Sequence, residues 1–111
     1  MKEYHRKLIR DKIPEIITST GGQFETRILG EKEFKRELKK KLIEESKELN
    51  ESPEDEILNE LTDILELVKS IGQNYNISFK VIQQSQVKKH KERGGFKKKL
   101  YLVWSTKKTG I

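Results

Sequence analysis

Cysteine is absent from this 111-residue chain, which excludes disulfide scaffolds, cysteine zinc sites and thiol chemistry. Long hydrophobic runs are absent too. No apolar stretch approaches the ~20 residues of a membrane span, and MKEYHRKLIRDK is too polar for a signal peptide. A soluble, cytoplasmic protein is therefore expected. Apolar residues are scarce, at 32 % against 38 % charged. That balance leans towards disorder, because few apolar groups offset the entropy of ordering a chain. Two features argue for a fold. The apolar residues recur at helical intervals, and only two prolines interrupt the chain. The length allows one domain, taken as residues 1–111.

What is present is charge, unevenly placed. The formal net charge of +6 divides into blocks: +5 over residues 1–43, −9 over 44–66, +1 over 67–79 and +9 over 80–111. A basic protein with an acidic centre is not what uniform solubilisation produces. The centre asks for an explanation.

The pattern predicts an all-α fold. Pro14, with Ile13, Ile16 and Ile17, suggests a short helix ended by Gly21-Gly22. From about Glu31 to Asn50, Phe34, Leu38, Leu42 and Leu49 form one face of an amphipathic helix. Ser52-Pro53-Glu54-Asp55 reads as a helix start with Ser52 as N-cap. The helix beyond it carries Ile57, Leu61, Ile64, Val68 and Ile71, and stops around Gly72 and Asn74–Asn76. A further helix, capped by Ser78 with Ile77 and Ile82 as a staple, runs to Arg93 before Gly94-Gly95. Residues 24–29 alternate weakly, and Leu100-Tyr101-Leu102-Val103-Trp104 is β-prone, so a short two-stranded element pairing about 24–29 with 99–104 is predicted. A helical hairpin plus one helix is a small core, which predicts an oligomeric bundle completed by a second subunit.

The acidic block has internal order. Glu45 and Glu48, and Glu60 and Asp63, are each three residues apart and so share a helix face. At ~100° per residue, Glu45 lies inside the apolar stripe of its helix, Glu48 at the edge, and Glu44 well away. Glu60 flanks the stripe of the second helix, with Asp63 further round. An unpaired carboxylate on a core-facing stripe is costly, so Glu45 needs a partner. Two readings stand: a Lys or Arg, or a solvated hairpin end, against a hard cation gathered where antiparallel helices bring the pairs together. Four carboxylates without His or Cys suit Mg²⁺, with Mn²⁺ as a substitute. Such a cation completes its shell with phosphates and water, and Lys7, Arg10, Lys12 and Arg93 are then candidates to neutralise a polyphosphate.

The segment Glu44–Glu48 followed by Glu60-x-x-Asp63 resembles the signature of the MazG-like all-α nucleoside triphosphate pyrophosphohydrolases. Lys7-Leu8-Ile9-Arg10-Asp11-Lys12-Ile13-Pro14-Glu15-Ile16-Ile17 resembles the opening of a small subgroup often called phosphoribosyl-ATP pyrophosphohydrolase-like. Thr26–Leu29 and Lys91-Glu92-Arg93-Gly94-Gly95-Phe96 match it as well, so the likeness covers about residues 4–102. Ser46-Lys47 departs from the usual pattern, and the tail 103–111 matches nothing. The resemblance implies homodimers or homotetramers and Mg²⁺-dependent cleavage between the α- and β-phosphates of a nucleotide. It implies Glu45, Glu48, Glu60 and Asp63 as metal ligands. Glu44 takes a supporting role, and Glu44 or Glu45 acts as base. A house-cleaning role on a canonical or damaged nucleoside triphosphate is the preferred expectation, with phosphoribosyl-ATP hydrolysis in histidine biosynthesis as the alternative. A rival class is a nucleic-acid-binding or regulatory module using the basic tail with Tyr101 and Trp104. It leaves the acidic block unexplained, so a nucleotide is the expected partner rather than nucleic acid or membrane. A family-like fold that has lost activity is a third reading.

Overall fold

Pro14 lies in the first turn of helix α1 (Ile13–Ser19), where a missing N–H leaves no hydrogen bond unmade. The computed structural model that shows this describes residues 1–107; the last residues of the tail, 108–111, lie outside the described residues. Helix α1 closes as the glycine pair predicts. Gly21 takes φ 82°, a left-handed conformation that a residue with a Cβ avoids. Its N–H donates to the Thr18 carbonyl at 3.0 Å, and that of Gly22 donates to Ile17 at 2.9 Å.

Three longer helices follow: α2 (Glu31–Glu51), α3 (Ile57–Asn74) and α4 (Phe79–Arg93), with a 3₁₀ turn at Glu54–Glu56 leading into α3. The all-α class is as predicted. The corner between α2 and α3 differs in detail. Ser52 does not cap α3; its hydroxyl donates back to the Leu49 carbonyl at 3.1 Å and so finishes α2. Pro53, extended at φ −69°, starts the 3₁₀ turn. Gly72 lies inside α3 and is buried. The helix ends at Asn74 and the chain turns at Asn76 (φ 60°), with the N–H groups of Asn76 and Ile77 bonded to the Gln73 and Gly72 carbonyls at 3.1 and 2.8 Å.

No strand occurs among the described residues, so the predicted pairing of 24–29 with 99–104 is corrected. Strand propensity is realised only with a partner to pair against. Here Arg27 is taken up by α2 instead, donating to both carboxylate oxygens of Glu33 at 2.9 and 2.6 Å. At the other segment, Lys99 turns back with φ 56° and its N–H donates to the Phe96 carbonyl.

The chain divides into two units, Met1–Phe79 and Lys80–Ile111. In the first, α2 and α3 pack as an antiparallel hairpin, the one substantial helix pairing among the described residues. Its buried hydrophobic side chains among the described residues are Leu38 (3 % exposed) and Leu67 (7 %), and Phe34, Leu42, Leu49, Ile64 and Ile71 are half-buried around them. Leu61, expected in the core stripe, is 49 % exposed. Helix α3 is apolar on two sides: Ile57, Ile64, Leu67 and Ile71 turn towards α2, while Leu58, Leu61 and Leu65 face outward. The second unit holds the remainder of α4, none of whose residues is buried, and an extended segment with Tyr101 and Trp104 exposed. No helix is long and apolar enough to cross a membrane among the described residues.

Candidate metal centre

Glu45 follows Leu38 by one heptad on α2, and Glu60 precedes Leu67 by one heptad on α3. The two leucines are the buried centre of the hairpin, so the same faces, carried towards the turn, bring the two glutamates together. Asp63 joins them one helical turn beyond Glu60. Glu45, Glu60 and Asp63 each present a carboxylate oxygen, and these oxygens all lie within 4.8 Å of one another. Glu60 is only 9 % exposed, and Glu45 and Asp63 are half-buried.

Electrostatics make this arrangement expensive. Glu45 Oε2 and Glu60 Oε2 are buried without a hydrogen-bond partner. Burial, and after it the neighbouring Glu48 carboxylate, push the Glu45 carboxyl up to about 7, with Asp63 adding to the effect. A carboxyl group that keeps its proton near neutrality, shared with the Glu48 and Glu60 carboxylates beside it, marks a site short of positive charge. The donors are hard oxygens with neither histidine nor cysteine, which fits Mg²⁺ or Mn²⁺ and does not suit zinc.

The remaining predicted residues divide clearly. Glu48 is exposed at the edge, outside the group of three, although its charge is felt at Glu45. Glu44 is half-buried and also outside that group. Lys7, Arg10 and Lys12 line an open groove of the first unit whose wall includes Glu45 and Asp63. Arg93 is the last residue of α4 and belongs to the second unit.

One contact had no periodic signal in the sequence. Arg10 Nη2 donates to Asp63 Oδ1 at 2.8 Å, across 53 positions of chain. Both side chains keep solvent access, at 52 % and 32 % exposure. The Arg10 backbone is held, since its carbonyl accepts from the Ile13 N–H at 3.1 Å as α1 begins. The helical wheel had already separated Glu45 from Glu44, but it put Glu60 at the flank, whereas Glu60 is the most buried of the carboxylates. Compared with protein-family models, characterised proteins and solved structures, the chain finds no match.

Proposed function

We propose that this chain is a metal-dependent nucleotide pyrophosphohydrolase, hydrolysing the α–β phosphoanhydride of a nucleoside triphosphate or related nucleotide to a monophosphate and pyrophosphate. The observation that carries the reading is the pair of buried, unpartnered oxygens on Glu45 and Glu60, gathered with Asp63 beside a groove lined by Lys7, Arg10 and Lys12. The likeness to MazG-like enzymes supports the same reading, on the same residues.

Glu45, Glu60 and Asp63 would hold the Mg²⁺, with Glu48 at the rim. The ion, when bound, supplies Lewis acidity and a more acidic water. Glu45, or Glu44 on the next position of α2, takes the proton of the attacking water. The water oxygen bonds to phosphorus as the bridging P–O bond breaks, and the electron pair leaves with pyrophosphate. Lys7, Arg10 and Lys12 offset the charge growing on that leaving group. The proposed setting is the cytoplasm, on a house-cleaning substrate, with phosphoribosyl-ATP as the alternative.

The proposal includes self-association as a homodimer or homotetramer. Two buried hydrophobic side chains among the described residues are a small core, and Leu58, Leu61 and Leu65 form an apolar stripe at three/four spacing on the outer side of α3. A second reading, a single-strand-binding module, is favoured by exposed Tyr101 and Trp104 following Lys97-Lys98-Lys99.

A panel of nucleotides, including phosphoribosyl-ATP, assayed with Mg²⁺ for monophosphate and pyrophosphate decides between these. Turnover of one or more nucleotides that is lost in Glu45→Gln and Asp63→Asn supports the enzyme. Release of pyrophosphate from none of them, with salt-sensitive binding of single strands, supports the module. Wild-type rates in both variants would falsify the site.

A further inference from the structure

Three carboxylates gathered within 4.8 Å repel one another, and the structure shows how the chain itself relieves one of them. Of the three, Asp63 has a protein cation on it, the Arg10 guanidinium at 2.8 Å. Glu45 Oε2 and Glu60 Oε2, both buried, have no partner. The pairing is a single N–H···O contact rather than a two-pronged one, in contrast to Arg27, which grips Glu33 through both terminal nitrogens. Arg10 is half exposed on a backbone pinned at the start of α1, so its side chain can swing while its root stays in place. The same groove that holds Arg10 is lined by Lys7 and Lys12 and opens onto Glu45 and Asp63.

From this geometry, and resting on the metal-dependent reading above, we infer that Arg10 is an exchangeable counter-ion that makes binding ordered, divalent cation first and nucleotide second. With no cation bound, the guanidinium neutralises Asp63 and competes with metal for its oxygen. A divalent cation that takes Asp63 displaces the guanidinium into the groove. There Arg10 meets the phosphates, which it contacts poorly while still paired to a carboxylate. Arg10 is thus a positioning and selectivity residue: it disfavours metal alone and favours metal with a polyphosphate. A single contact of this kind acts as a point charge, so lysine should replace arginine in the competition with metal.

The test is calorimetric titration of Mn²⁺ alone into the metal-free full-length protein at pH 8, followed by a non-hydrolysable α,β-methylene nucleotide with and without Mn²⁺. Arg10→Gln should bind Mn²⁺ roughly two- to fivefold more tightly than wild type, the range expected for removing a partly exposed ion pair. The analogue should bind wild type only after Mn²⁺, and should bind Mn²⁺-loaded Arg10→Gln at least about fivefold more weakly, as loss of a charged hydrogen bond predicts. Arg10→Lys should match wild type for Mn²⁺, and Arg36→Gln, which removes an exposed cation of α2 outside that groove, should change neither affinity. Unchanged or weaker Mn²⁺ binding in a folded Arg10→Gln overturns the exchange while leaving the metal centre standing, as does an Arg10→Lys that behaves like Arg10→Gln. If wild type and every variant take up no Mn²⁺, the metal reading fails and the inference goes with it.

Discussion

Helix α3 buries Glu60, Leu67 and Gly72, whereas α4 buries none of its residues. Both are regular helices of similar length. What separates them is a partner. Helix α3 lies against α2 and can therefore hold charge away from water; α4 carries lysines, glutamines and valines, with Phe79 and Ile82 half-buried and its other residues exposed. Burial is the condition for unusual carboxylate chemistry, because only there does desolvation change what a charge costs. The acidic block is a candidate site on account of where the hairpin puts it. The basic C-terminal block has comparable charge and no such setting.

The sharpest way to break that contrast is to neutralise one ligand. Asp63→Asn should lower turnover by about a hundredfold or more, as expected for loss of a metal-holding carboxylate, while Val87→Ala on α4 leaves it unchanged; pyrophosphate release measures both. Stability should divide in the same way. Leu67→Ala removes one of the two buried hydrophobic side chains of the described residues and should cost about 2–4 kcal/mol in urea unfolding.

Acidity tests the next level down. With the Glu45 carboxyl near 7, cation binding must expel its proton, facing Glu48, Glu60, Asp63 and the Arg10 guanidinium. Mn²⁺ affinity should fall by up to about tenfold per pH unit below 7 and level off above it. For the metal-free protein the sign is opposite. Between pH 4.5 and about 7 the unfolded chain has released the Glu45 proton and the folded chain has kept it. The contribution to stability is therefore full below 4.5 and is lost as pH rises through about 7. Glu45→Gln should accordingly raise the melting temperature of the metal-free protein at pH 8, by the equivalent of about 0.5–2 kcal/mol. Val87→Ala closes the series with about 0.5 kcal/mol or less.

Much of this was legible in the sequence, for reasons that can be named. The bounds of α1 and α2 follow from Pro14, the glycine pair and one unbroken apolar stripe, and Glu45 was separated from Glu44 by that stripe alone. Helix α3 was harder. Its leucines and isoleucines cover two sides, and periodicity cannot say which side meets α2: the pattern turns Leu61 inward, where the fold exposes it, and gives no signal for the buried Leu67. For the same reason the pattern places Glu60 at the flank of the stripe, while the fold buries it. Ser52 satisfied the pattern of a cap but served the helix behind it. The Arg10–Asp63 contact joins segments far apart in the chain, and no local rule connects them.

The hairpin turn also bears on how the protein folds. Glu45, Glu60 and Asp63 stand on either side of one short corner, Ser52 to Glu56, so the site is assembled by contacts close in sequence. Such contacts form early and fast. The nascent hairpin therefore meets the mutual repulsion of its carboxylates near the start of folding. Protons or divalent cations in the refolding buffer should then speed its formation as well as hold the finished site.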